Sequence, residues 1–490
     1  MRDSDVKKLL NIGVLLSAER DLNRLLERIL DCVMDLAGCD AGTLYLLQEG
    51  TLHFRLMRNR TLKTYSGAGG VEPDLPPVAL TRESVCALAV LDDKTIRIED
   101  VRSCEEYDLT GPIRYDAMTG YNTVSMLVVP MRNRSGETIG VLQLINAMDE
   151  AGNICAFNQD MTLVLESVAS QAAITLQNVR YIAEIKELFQ SLVRVMSSAV
   201  DERTPYNGSH TRHMVACGSR FIDYLNQIQS PPPFSPDHKD EVLMSVWFHD
   251  VGKLVTPLEV MNKMARLLPE QYTAFTHRME VIRLRAEIDC LAGRIAPEER
   301  EETVRLTHEA EQLVDAVNTA GFLPDDKLEA IARLRRCAYA GEDGRALPYL
   351  TQEEYAMLSI RKGTLSDEER KIMEEHVVVT DKLLSQIRFS SELSHVREWA
   401  SAHHELLNGS GYPRRLSGDE IPFEVRIITI LDIFDALVAD DRPYKPGMPV
   451  ERALSILEVM ANKEGKLDRE LTRLFIESKC WESDVPREKQ

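Results

Sequence analysis

Residues 161–198 contain neither proline nor glycine. Leu163, Leu165, Val168, Ala172, Ile174 and Leu176, continued by Val179, Ile182, Ile185, Leu188, Leu192 and Val195, give this stretch an apolar stripe at helical spacing. It predicts one uninterrupted helix, roughly 57 Å long at the α-helical rise. The 490 residues are too many for one core, and the helix falls between two candidate domains, 1–160 and 199–490. A helix this long with one apolar face pairs with a copy of itself, so 161–198 is expected to be a parallel connector in a homodimer. Folding back onto its own domain is the alternative.

Composition narrows the function classes. The net charge of −20 argues against a general nucleic-acid binder, although bound cations and a few basic residues would still admit a small anionic ligand. No run approaches 18 consecutive apolar residues, so no membrane span is expected. The start, Met1-Arg2-Asp3-Ser4-Asp5, lacks the apolar core of a signal peptide. The nine cysteines include no CxxC pair, which fits reduced thiols and a cytoplasmic location better than a disulfide framework.

Before the connector, helical and strand patterns are mixed. Residues 21–37 read as an amphipathic helix. The runs 43–47 and 52–56 flank Glu49-Gly50 as a hairpin. Residues 95–98, 125–129 and 138–145 are further strand candidates, the last two separated by Asn133-Arg134-Ser135-Gly136, and a closing helix starts near Gln159. Helix, strands and a closing helix make an α+β domain, an arrangement that resembles a GAF domain. Asn146-Ala147-Met148-Asp149-Glu150 with Phe157-Asn158-Gln159-Asp160 is similar to the Asn-Lys…Phe…Asp-Glu pattern of cyclic-nucleotide-binding GAF domains. It lacks the lysine and has a shorter Phe-to-Asp spacing, and the same residues also read as a turn entering a helix. The resemblance implies a GAF-like sensor for a small molecule such as a cyclic nucleotide.

Beyond Asp201 the chain reads as helical. Residues 266–361, rich in Glu, Arg, Leu and Ala and broken at Pro297, Pro324 and near Gly341, are expected to form an insertion of two or three charged helices.

Histidines and aspartates concentrate in this second half: His210, His249-Asp250 followed by Gly252-Lys253, His376, His403-His404-Glu405, whose two histidines are expected on a helix beginning near Ser394, and Asp432. Neutral imidazoles and carboxylates suit iron, manganese, nickel or zinc, and the two oxygens of Asp250 allow it to bridge two ions. The blocks around His210, His249-Asp250, His376, His403-His404 through Gly411-Tyr412-Pro413, and Asp432, taken in order, resemble the HD-GYP branch of the HD phosphohydrolases over residues 196–265 and 360–475. That resemblance implies an all-α, metal-dependent phosphohydrolase domain. One metal would be held by His210, His249, Asp250 and Asp432, and the other by Asp250, His376, His403 and His404; iron or manganese is the first expectation for both. Two cations about 3.5–4 Å apart lower the pKa of a shared water. The implied reaction is hydrolysis of cyclic di-GMP to pGpG or GMP, with a diguanylate cyclase as a candidate partner.

Further roles follow from residue type. Lys253, one turn after Asp250, is a point charge for a phosphate and a catalytic candidate beside Asp250. Arg442 and Lys445 are candidates for the same anionic substrate. Glu405 is expected to orient a histidine, with a role as a metal ligand the alternative, and Asp435, on the helix face of Asp432, to hold a water or a ligand histidine. Gly411, Tyr412 and Pro413 are expected to shape a loop that also faces partner proteins.

Three departures from the HD-GYP pattern matter. Tyr206 stands where some members carry a glutamate for a third metal, so two metals are expected. Asn408 replaces an aspartate, which should alter loop contacts more than metal binding. The 266–361 insertion could overhang the pocket as a lid or form a partner surface. Two alternatives stand beside the enzyme: an adaptor that binds cyclic di-GMP without turnover, and a hydrolase of another cyclic dinucleotide.

Overall fold

A computed structural model describes residues 21–67, 75–203, 209–230, 232–340, 346–439 and 447–482. These fall into two compact units divided between Gln190 and Ser191.

The first unit opens with the helix Leu22–Ala37. The Asp21 side chain caps it by accepting from Arg24 N, and Gly38, with φ at 60°, ends it in the left-handed conformation. β1 (Cys39–Gln48) and β2 (Thr51–Asn59) form the expected hairpin, with Glu49 and Gly50 both at positive φ. β3 (Thr64–Ser66), β4 (Val78–Ala79), β5 (Ile96–Ile98), β6 (Met126–Arg132), β7 (Thr138–Met148) and β8 (Ile154–Cys155) complete one antiparallel sheet. Its order is β3-β2-β1-β7-β6-β5, with β4 on β2 and β8 on β7. Alternation along the strands buries both faces. Leu44, Leu127 and Leu142 face a core shared with the Leu22–Ala37 helix, while Tyr45, Val128 and Val141 face a second core with the helix Val85–Leu91.

The long helix runs Gln159–Asp201. Its apolar residues do not form one stripe. Leu165, Val168, Ala172 and Leu176 are buried in the first unit's core, against the Leu22–Ala37 helix and the sheet. Ile182, Ile185, Leu188, Leu192 and Val195 are 55–67% exposed. The first half therefore completes its own domain, and a separate apolar row begins after it. Asn146 has φ at 57°. Its side-chain oxygen accepts from Val124 N at 2.8 Å and Ser125 N at 3.2 Å, so it pins the start of β6 to the end of β7.

The second unit is helical. The helices His210–Gln227, Pro236–Phe248, Phe423–Val438, Val450–Asn462 and Arg469–Ser478 enclose a core that includes Phe221, Val246, Leu431, Leu457 and Phe475. The insertion has a core of its own, with Phe275, Met279, Val314, Val317 and Leu358 at its centre. Pro269 and Pro297 open the helices Pro269–Leu291 and Pro297–Asn318 at the position where a missing N–H costs nothing. The fully buried Arg266 guanidinium donates to the carbonyls of Val317, Ala320 and Ile360 and closes the end of the second of these helices. A short strand pair, Ala338–Ala340 with Ala346–Pro348, follows the helix Asp325–Leu334, and a purely helical reading of 266–361 missed it.

Candidate metal centre

Three histidines reach the centre in the same way. His249 caps the helix Pro236–Phe248, with Nδ1 2.7 Å from the Val246 carbonyl. His376 opens the helix His376–Leu384, with Nδ1 2.6 Å from the Met373 carbonyl. His403 has Nδ1 2.7 Å from the Ala400 carbonyl. A carbonyl only accepts, so each Nδ1 carries the proton and donates it, leaving Nε2 as a bare lone pair. Sequence pattern puts His403 and His404 on a helix, but the helix Val396–Ala400 stops before them and both sit on the following turn. There His403 bonds back to the last helical carbonyl, and its own carbonyl accepts from Thr429 Oγ1 at 2.8 Å.

The predicted ligand atoms converge. Asp250 Oδ2 lies 3.3 Å from His249 Nε2 and 3.9 Å from His210 Nε2, while Oδ1 lies 3.5 Å from His376 Nε2 and 3.9 Å from His403 Nε2. The two oxygens thus face two groups, His210 with His249 and His376 with His403 and His404; in each group the ligand atoms lie within 4.8 Å of one another. Asp432 reaches both groups, with Oδ1 3.4 Å from His210 Nε2 and Oδ2 3.5 Å from His404 Nδ1. The family resemblance placed it with the first group alone.

The site fits divalent cations on its own geometry. Asp250 Oδ1, His376 Nε2 and His403 Nε2 are buried with no hydrogen-bond partner. Unpartnered buried polar atoms cost free energy, and three of them facing one point are relieved by a shared cation. The nitrogen and oxygen donor set suits Fe, Mn, Ni or Zn.

Electrostatics agree. Burial holds His403 well below the usual imidazole range, lowers His376 and pushes His404 down to about 4, so all three are neutral, as ligands must be. Burial also opposes charge on His210, but its bonds to Asp432 and Asp435 outweigh this and raise it to about 10. Burial disfavours an ionised Asp250; the Lys253 ammonium, with Nζ 2.5 Å from Oδ2, and His249 overcome that and keep the carboxyl well below its ordinary value.

The surrounding residues fix this geometry. Asp435 Oδ2 holds His210 Nδ1 at 2.7 Å and so fixes the orientation of that ring. Gly252 lets the turn Val251–Leu254 press on the helix His376–Leu384. A Cβ there would lie 1.9 Å from the His376 carbonyl oxygen and 2.7 Å from Thr380 N. Gly252 N donates to Thr380 Oγ1 at 3.0 Å, and that hydroxyl donates to the His249 carbonyl at 3.2 Å. Thr380 thus ties the two ligand groups together. It sits one turn after His376, and nothing local in the sequence marks it.

Glu405 corrects an expectation. Its carboxylate accepts the backbone N–H groups of Arg414 at 2.7 Å and Leu416 at 2.9 Å, and so holds the Gly411-Tyr412-Pro413 loop instead of a histidine ring. The loop packs close. A Cβ on Gly411 would lie 2.5 Å from the His404 carbonyl oxygen. The Tyr412-Pro413 bond is cis, and the Tyr412 ring stands 4.8 Å from that of His404. Tyr412 therefore walls the centre as well as shaping the loop. Asn408 acts on loop contacts, accepting from Ser410 N and donating to the Glu464 carbonyl. Arg442, Lys445 and Tyr206 lie outside the described residues.

Residues 19–177 match the GAF domain family and residues 350–471 the HD domain family. A 3′3′-cGAMP-specific phosphodiesterase 3 of Vibrio cholerae serotype O1 is 43% identical over 98 residues, 20% of this chain and 20% of that protein. A cyclic di-GMP phosphodiesterase of Thermotoga maritima is 37% identical over 125 residues, 24% of this chain and 33% of that protein. The chain thus spans between a fifth and a third of the length of these curated relatives. Among solved structures, the GAF domain of an Acinetobacter phosphoenolpyruvate-protein phosphotransferase covers 37% of this chain and 98% of its own, at 17% identity and a TM-score of 0.29. The chain thus carries a region similar to GAF domains followed by a region similar to HD domains, and its ordered histidine and aspartate blocks gather in one place.

Proposed function

We propose that the chain is a metal-dependent phosphodiesterase that hydrolyses cyclic di-GMP to pGpG or GMP. The observation that carries this reading is the meeting of His210, His249, Asp250, His376, His403, His404 and Asp432, with three buried ligand atoms left without partners. His210, His249 and one oxygen of Asp250 would hold one cation; His376, His403, His404 and the other oxygen would hold the second; Asp432 is within reach of both. When bound, such a pair lowers the pKa of a shared water and takes up charge on the phosphoryl oxygens.

The chain's own residues supply the rest. Burial keeps three imidazoles neutral. Asp435 and three backbone carbonyls aim the rings. His404 has the most exposed side chain of the seven, at 25%, so the phosphodiester approaches from its side, along Tyr412. Lys253, with a 20% exposed side chain, offers a positive charge beside Asp250. Arg442 and Lys445 are proposed from sequence as further contacts to the anion.

A second reading, hydrolysis of 3′3′-cGAMP, draws support from the Vibrio relative. Chain purified without oxygen, loaded with iron or manganese and given each dinucleotide in turn, tests both. Linear product from cyclic di-GMP is expected; turnover of 3′3′-cGAMP alone favours the second reading, and binding of either without product favours an adaptor.

We further propose that the GAF domain regulates this site. It carries an open pocket of about 770 Å³ lined in part by Tyr45, Phe54, Cys86, Tyr121, Met126 and Gln143, suited to a small molecule such as a cyclic nucleotide. The last residue of the long helix, and Arg203 just past it, contact the metal centre's surroundings. Asp201 accepts from Thr211 Oγ1 at 3.3 Å, and the Arg203 guanidinium donates to the Lys253 carbonyl at 3.0 Å. The exposed row from Ile182 to Val195 would pair with a second copy. Hydrolysis rates that stay constant while candidate cyclic nucleotides are titrated would reject this regulation.

A further inference from the structure

Two buried thiols in the helical unit play no part in the metal chemistry. Cys217 lies on the helix His210–Gln227, and Cys480 lies just past the helix Arg469–Ser478. Their sulfurs are 3.1 Å apart, and the residues are only 7% and 3% exposed. Neighbours fix both positions. The Arg220 guanidinium donates through Nε to the Cys480 carbonyl at 2.5 Å. Trp481 packs its ring 5.3 Å from those of Phe434 and Phe475. A disulfide has its sulfurs about 2.05 Å apart, so closing this pair requires an approach of about 1 Å.

The geometry points to Cys217 and Cys480 as a reversible disulfide site that clips the segment after the last described helix onto the helix that begins with His210. The oxidant class is a small hydroperoxide such as hydrogen peroxide. Burial opposes a thiolate at Cys480, but the contact with Cys217, the Ser478 hydroxyl and the Arg220 charge outweigh it and hold this thiol below its usual value. The contact with Cys480, together with burial, pushes Cys217 up. Cys480 is therefore the attacking sulfur. Its thiolate takes one peroxide oxygen, the O–O bond breaks, and a sulfenic acid and hydroxide form. The Cys217 proton converts this hydroxide to water. The Cys217 thiolate then attacks the Cys480 sulfur, the S–O bond breaks, and a second hydroxide leaves, recovering from solvent the proton that Cys480 gave up on ionising. Two thiols are oxidised, one peroxide is reduced, and two waters result.

The test uses the full chain, with metal chelated, treated with one equivalent of hydrogen peroxide under native conditions, alkylated and digested with trypsin. Cleavage after Arg212, Arg220, Lys479 and Arg487 places the two cysteines on separate peptides. The expected result is one species with the mass of both peptides less two hydrogens, absent after dithiothreitol. The unfolding midpoint should rise by about 5–10 °C. Cys480→Ser should lose both effects. Full alkylation of Cys217 and Cys480 while exposed Cys155 is oxidised would overturn the proposal. So would bridging of Cys217 to any other cysteine, or linkage that forms only in denaturant. Because the linked peptide is read on the wild-type chain, a variant that fails to fold does not obscure the answer.

Discussion

Replacing Gly252 with alanine should break the centre without replacing any of its seven converging residues. The added Cβ would sit 1.9 Å from the His376 carbonyl oxygen, against an ordinary contact of at least 3.4 Å, so the turn and the helix His376–Leu384 must part by about 1.5 Å. Neither side yields easily, because the atoms met are backbone and the interior is close-packed. Overpacking of this kind costs about 1–3 kcal/mol, and loss of the Gly252-to-Thr380 hydrogen bond adds about 1 kcal/mol. The expected destabilisation is about 2–4 kcal/mol. The same parting widens the 3.5 Å gap between Asp250 Oδ1 and His376 Nε2, and a misplacement of about 1 Å in reacting geometry costs on the order of 100-fold in rate. Urea denaturation followed by circular dichroism measures the first effect, and metal content with dinucleotide hydrolysis measures the second. Thr380→Val is the companion variant, because it removes the hydroxyl and leaves the packing intact; it should cost about 1–2 kcal/mol. A Gly252→Ala protein with wild-type stability and wild-type metal content would refute the reasoning.

Other outcomes follow from individual contacts. Asp435→Asn leaves His210 Nδ1 with a neutral acceptor, so cation affinity should fall about 10–100-fold with the unfolding midpoint little changed; competition against a graded chelator series measures it. Glu405→Gln keeps one carbonyl oxygen where two backbone N–H groups now bond, and should cost about 1–3 kcal/mol in chemical denaturation. His210 stays protonated up to about 10 in the metal-stripped chain and must release that proton to bind a cation. Cation affinity should therefore rise with pH below that value, with protons released on loading. Calorimetric titrations in which affinity and proton release ignore pH would contradict this.

Much of the fold was legible because its signals are local. Short strand-forming runs marked β1, β2, β6 and β7, and the Glu49-Gly50 turn marked the hairpin. Asp21 and Gly38 punctuate the first helix where pattern placed it. The long helix shows the limit of periodicity. Leu165 and Leu192 are equal in sequence, yet one lies in a domain core and the other in solvent, because periodicity describes a face and not what covers it. The helix Thr110–Thr119 buries none of its residues and so left no pattern to find. At the centre, residue types and order pointed to the histidines and aspartates, but their supports depend on contacts far apart in the chain. The constraint on Gly252 comes from the His376 carbonyl, Glu405 is claimed by backbone N–H groups beyond Pro413, and Cys217 meets Cys480 across most of the helical unit. His403 and His404 were misread as helical because a turn that bonds back to Ala400 keeps nearly helical spacing.

The central claim is that one carboxylate, Asp250, joins two sets of imidazoles around a pair of cations. Elemental analysis of chain purified without oxygen, run beside Asp250→Ala and with folding checked for both, addresses it most directly. Two transition-metal ions per chain in the wild type, with both sharply reduced in the variant, is the predicted result. A wild-type chain that takes up none under saturating iron or manganese, or a folded variant that keeps both, would contradict it.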